Sequence, residues 1–143
     1  MKDLMPLVEE RLAAGQEAVI TVKGTSMCPF FHDGKTTVTL ASPTDPIRKL
    51  AVILYESDSG TIVLHRVIGK KGTYYRAEGD GLRSCELVAE RSVKAVVTAH
   101  EADGKRISAD DPNYLRRVRL WRCLRPIRFA LLGLMRRMKR WNG

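Results

Sequence analysis

Between residues 15 and 108 the apolar and β-branched side chains come in short runs, several alternating with polar neighbours, and each run is closed by Gly, Asp, Ser or Pro. Period-two alternation turns successive side chains to opposite faces, so a chain written this way is confined to short strands joined by tight turns. The runs predict strands at 18–22, 36–40, 50–55, 61–68, 73–77 and 93–100, with a short return at 106–107. Ser57-Asp58-Ser59-Gly60, Lys70-Lys71-Gly72 and Asp103-Gly104 supply the turn chemistry between them. Strands do not alternate with helices, and no glycine-rich nucleotide loop or internal repeat is present. Ahead of the strands, Leu4, Leu7, Val8 and Leu12 recur at helical intervals, with Asp3 as N-cap, Pro6 in the first turn and Gly15 as the stop.

At Asp110-Asp111-Pro112 the period changes. Leu115, Val118, Trp121, Leu124, Ile127, Leu131, Leu134, Met138 and Trp141 recur every three or four residues, as one helical stripe requires, and Pro126 starts a new helix or kinks a continuous one. The charge divides at the same place. Residues 1–111 hold 15 Lys and Arg against 16 Asp and Glu, a net of −1, whereas residues 112–143 hold ten basic residues and no acidic one. The whole excess of the +9 chain therefore lies in the tail, interleaved with Leu, Trp and Ile, a pattern of an interfacial helix more than of a nucleic-acid arm. A chain of 143 residues suffices for one sizeable core. The expected organisation is a β domain over 1–110 and a basic amphipathic helical tail over 111–143.

Cys28, Cys85 and Cys123 have no C-x-x-C spacing, which argues against a zinc ribbon and a disulfide scaffold and fits a reducing compartment. No run approaches the roughly 18 apolar residues of a membrane-spanning helix. Glu9, Glu10 and Arg11 interrupt what would be the apolar core of a signal peptide. The expected location is cytoplasmic.

Two residues stand out for chemistry. Ser26 follows a strand and Gly24, where a sharp turn presents a hydroxyl and leaves backbone N–H groups for an oxyanion; the plainer reading is a turn whose hydroxyls bond the backbone. His65 lies in an apolar strand, sharing a face with Val63 and Val67, where a neutral imidazole is held as a base; the plainer reading is a core histidine. His32 and His100 lack this setting, and the three histidines have no metal-ligand spacing, so neither metal nor cofactor is expected. Cys28 is the rival nucleophile.

Gly24-Thr25-Ser26-Met27-Cys28-Pro29, then Val63-Leu64-His65-Arg66-Val67-Ile68, then Glu78-Gly79-Asp80 resembles, in order, the boxes of the signal peptidase and LexA-like serine peptidase superfamily, in its Ser/His form. The resemblance covers roughly residues 19–99 and is closer still to short members associated with pathways for ribosomally made, modified peptides. It implies a mainly β catalytic domain with a short N-terminal helix, and a serine endopeptidase cleaving a peptide or precursor protein. Ser26 matches the nucleophile and His65 the base. Met27 matches a residue lining the substrate channel, with Thr25 and Pro29 beside it on the substrate side, and Arg66 and Asp80 match positions that hold the fold around the site. The pattern departs in two places: Gly79-Asp80-Gly81 stands for Gly-Asp-Asn, and the next acid is Glu86 where an aspartate is usual. Either Asp80 or Glu86 orients His65, or the site works as a dyad.

The alternative is a non-catalytic peptide-binding or accessory module on the same fold. A LexA-like repressor is disfavoured by the missing helix-turn-helix and the balanced charge of residues 1–111, so no specific nucleic acid is expected. The tail is expected to reach an anionic membrane surface on the cytoplasmic face, or a docking protein; otherwise residues 114–124 pack on the β domain.

Overall fold

The computed structural model describes residues 4–44, 46–124 and 127–141. The chain begins with α1 (Met5–Ala13), which buries Met5, Val8 and Leu12 and carries Pro6 in its first turn. The expected N-cap, Asp3, lies outside the described residues. Eight strands follow: β1 (Ala18–Thr21), β2 (Thr37–Ala41), β3 (Val52–Glu56), β4 (Ile62–Lys71), β5 (Tyr74–Glu78), β6 (Cys85–Ala89), β7 (Val93–Ala102) and β8 (Lys105–Ser108). Two helices end the chain, α2 (Pro112–Cys123) and α3 (Arg128–Trp141). The result is a mixed α/β domain, one sheet flanked by helices, one of them near the N-terminus.

All the strand pairs are antiparallel, in the order β1-β2-β7-β3-β4-β5-β6, with β8 pairing the second half of β7. The turns lie where their residues demand. Ser57 and Gly60 close the β3–β4 hairpin, and Asp103 and Gly104 both take positive φ, the requirement of a tight hairpin turn between β7 and β8. β6 is the strand that sequence reading does not find. It is an edge strand with Leu87 54% exposed, so no apolar face announces it.

The sheet separates two apolar clusters. Val52, Leu54 and Leu64 join α1, Met27 and Phe31 on one face, while Ile53, Tyr55, Val67, Tyr75 and Val88 pack on the other. α2 is capped by Asp111, whose carboxylate accepts from the amides of Asn113 and Tyr114, and it buries Tyr114, Val118 and Trp121. The change of composition near Asp110 thus coincides with the start of α2. The tail does not present one continuous stripe: Val118 and Trp121 turn inward with the domain. Pro126 lies outside the described residues.

Candidate active site

The centre of the site is a buried ion pair. Arg66, fully buried on β4, donates from Nε to both carboxylate oxygens of Asp80 at 2.9 and 3.1 Å, and from Nη2 to Asp80 Oδ2 at 2.7 Å. Its Nη1 donates to the Leu50 carbonyl and its Nη2 to the Tyr114 hydroxyl, each at 2.8 Å, while the guanidinium lies against the rings of Phe30 and Tyr114. Burial works against the charge, but Asp80 outweighs it and holds the guanidinium cationic. Trp121 Nε1 donates to the Asp80 carbonyl at 2.7 Å, which ties α2 to the same loop. Asp80, one of the two acids proposed to orient His65, is therefore engaged by Arg66, and no hydrogen bond joins it to His65 among the described residues.

The same loop seats Ser26. Gly81 N donates to the Ser26 carbonyl at 2.9 Å. A Cβ on Gly79 would stand 2.5 Å from that carbonyl, and one on Gly81 would stand 3.1 and 3.2 Å from the carbonyls of Thr25 and Cys28. Glycine at 79 is thus a requirement of close backbone approach, and Gly81, where Asn is usual, is tightly placed as well. The β4–β5 ladder ends with Arg66 opposite Glu78, so Gly79 follows directly on the last paired residue and His65 directly precedes its partner. The Ser26 backbone occupies the space a Gly79 side chain would fill.

Ser26 is half-buried, and its hydroxyl has no hydrogen-bond partner among the described residues, His65 included. The amides of Ser26 and Met27 likewise donate to no described acceptor, whereas Cys28 N is used by the Thr25 carbonyl. Met27, matched to a channel-lining residue, is 1% exposed and packs in the core with Phe31, so it supports the loop from behind. Thr25 and Pro29, with Cys28, line a groove of about 230 Å³ to which Leu132 and Met135 of α3 also contribute. The half-buried Cys28 thiol points to the Phe31 carbonyl, 3.6 Å away.

His65, 8% exposed, has its Nδ1 at 2.8 Å from the Tyr55 hydroxyl, which donates to Glu86 Oε2 at 2.5 Å. Glu86 itself stands 3.9 Å from Nδ1. Burial pushes the His65 pKa below its ordinary value, against the opposing pull of Glu86, Asp80 and Glu78, so the ring is a neutral imidazole at neutral pH. Burial and the Glu86 hydrogen bond push the Tyr55 phenol pKa up, so it keeps its proton. A tyrosine has one O–H to donate; with that O–H directed at Glu86, the Nδ1 contact requires Nδ1–H to donate to the Tyr55 oxygen. The other nitrogen, Nε2, is left with its lone pair and no described partner. Tyr55 is the site residue that sequence reading misses, because it reads as an ordinary apolar strand residue; its position two residues from Ile53, the cross-strand partner of His65, is the only trace of its role.

Among the described residues no cluster of His, Cys, Asp or Glu is arranged to hold a metal ion, and no helix is long and apolar enough to cross a membrane. Comparison with protein-family models, curated proteins and solved structures finds no match for the chain.

Proposed function

We propose that this chain is a serine endopeptidase of the signal peptidase and LexA-like kind, acting on a peptide or precursor protein with Ser26 as nucleophile and His65 as general base. The observation that supports the reading is the Ser26 backbone lodged against Gly79, which follows the strand paired with β4, together with a His65 on β4 whose Nε2 is an unused acceptor. In this mechanism the Ser26 oxygen attacks a peptide carbonyl as its proton passes to His65 Nε2. The Ser26 and Met27 amides are the candidate oxyanion donors. The proton then goes to the leaving amine as the C–N bond breaks, and water, deprotonated by His65, hydrolyses the acyl ester. Thr25 and Pro29 would meet the substrate at the groove under α3.

Ser26→Ala and His65→Ala are expected to abolish cleavage of a mixed-sequence peptide library, read by mass spectrometry, with thermal unfolding unchanged. Cys28→Ser should retain substantial turnover; loss of activity there would transfer the nucleophile to the thiol. The absence of a Ser26–His65 hydrogen bond favours a second reading, a peptide-binding module on this fold without turnover. That reading requires peptide retention by the wild-type chain with no cleaved product.

The tail is part of the proposal. α3 approaches Gly81 and lines the Thr25–Pro29 groove through Leu132, which is 6% exposed, while Ile127, Leu134 and Met138 of the apolar stripe are 52, 54 and 56% exposed. An apolar face flanked by Arg136 and Arg137, in a segment with no acidic residue, is complementary to an anionic bilayer surface, on which the enzyme would sit peripherally at the cytoplasmic face.

A further inference from the structure

We infer that Tyr55 is a positioning residue that couples His65 to Glu86, so that the acid of this site acts through a phenol and not by touching the imidazole. The inference rests on the peptidase reading for its role in turnover, but its structural content is independent of activity.

An imidazole base needs its acceptor nitrogen turned to the nucleophile, and the tautomer is fixed by whatever bonds the other nitrogen. Here the 3.9 Å separation of Glu86 from Nδ1 is too long for a hydrogen bond, whereas the Tyr55 hydroxyl meets both groups, at 2.8 and 2.5 Å. Polarity along the chain is set from its outer end. The Glu86 side chain is 43% exposed and, as a carboxylate, only accepts. Tyr55, 1% exposed, donates its phenolic O–H hydrogen bond to Glu86 and accepts from His65 Nδ1–H. When His65 takes a proton on Nε2, the imidazolium keeps its Nδ1 proton and Tyr55 keeps its own; no proton has to travel the length of the chain. Glu86 then stabilises the cation across one intervening group, and hydrogen bonds in series polarise one another. The rings of Tyr55 and His65 meet edge to face at 5.8 Å, so the imidazole is held in plane as well as in tautomer.

The charged and titratable groups around His65 come from three places: Tyr55 on β3, Glu78 and Asp80 at the end of β5, and Glu86 on β6. Asp80 is committed to Arg66, and Glu78 Oε1 accepts from Arg122 at 3.4 Å, which leaves Glu86 as the acid linked to the ring.

Nitrogen-15 NMR of the histidine side chains in the full chain separates this inference from the peptidase reading. Wild-type His65 is expected as the Nδ1–H tautomer at neutral pH. Tyr55→Phe, which keeps the ring, should give a mixed or Nε2–H population, and Glu86→Gln should lower the His65 titration midpoint by removing the charge that favours imidazolium. In turnover each variant should lose about 10- to 100-fold in kcat with little change in KM, less than the ~10⁴-fold that follows a wrong tautomer at a directly bonded triad. An Nε2–H tautomer in the wild type, or an unchanged tautomer in Tyr55→Phe together with an unchanged midpoint in Glu86→Gln, would overturn the coupling. The expected spectra without any peptide cleavage would sink the peptidase reading and leave the coupling standing.

Discussion

A glycine that touches a backbone carbonyl and an arginine that never meets water are the two residues on which this site turns. Gly79 has no room for a methyl group: its Cβ would lie 2.5 Å from the Ser26 carbonyl and 2.9 Å from Leu82. Gly79→Ala is therefore expected to displace the Ser26 loop and to cost about 1–3 kcal/mol by overpacking, measured by denaturant unfolding. Gly69→Ala, whose Cβ would meet Arg76 at an ordinary 3.9 Å, serves as the comparison. Equal effects at the two positions would contradict the close approach. Asp80→Asn leaves the Arg66 charge buried without its carboxylate, and removal of one partner of such a pair costs roughly 3–5 kcal/mol. Its loss should appear in the unfolding curve; unaltered stability would show that the ion pair does not hold the site together.

At the scale of elements, the tail divides between its two helices. α2 belongs to the domain through Tyr114, Val118 and Trp121, whereas α3 meets it at Leu132 and Met135 and offers Leu134 and Met138 outward. The full chain should therefore float with vesicles of mixed zwitterionic and anionic lipid at low salt, and polar substitution of Leu134 and Met138 should weaken binding about tenfold without changing thermal unfolding. Failure of the intact protein to bind anionic vesicles would remove the membrane from the account and make a docking protein the occupant of this face. Most elements were legible locally. Alternation located β2, β3, β4, β5 and β7 to within a few residues because each has at least one buried face, and the 3.6-residue period found both tail helices. What was not legible is non-local. β6 carries no buried stripe, and the stripe in the tail gave no sign that Leu132, off its line, makes the contact.

For the molecule as a whole, the sheet brings together residues that the sequence keeps apart. Ser26, His65 and Asp80 could be singled out from their motifs, but the link from Tyr55 to Glu86 spans 31 residues and three strand pairings, and no pattern along the chain announces it. The fold also buries a second histidine. His100 lies between Phe31 and Tyr114, and burial, then repulsion by Arg66 and Arg117, pushes its pKa down to about 4. The unfolded chain binds a proton there at about pH 6.5, so stability is full above that value and is lost as the pH falls towards 4, by on the order of 3 kcal/mol from this residue. Burial of His65 adds in the same direction. His100→Phe should flatten the fall in unfolding free energy between pH 6.5 and 4; an unchanged slope would place the acid sensitivity elsewhere.

The central claim is that Ser26 is a nucleophile activated by His65, and covalent capture tests it without knowledge of the substrate. Incubation of the full chain with a serine-reactive fluorophosphonate, followed by peptide mapping, should find the adduct on Ser26, with a labelling rate that rises as His65 loses its proton. The adduct should be absent in Ser26→Ala and its formation strongly slowed in His65→Ala. A folded wild-type chain that stays unlabelled at Ser26, or labelling that is unchanged in His65→Ala, would contradict the account.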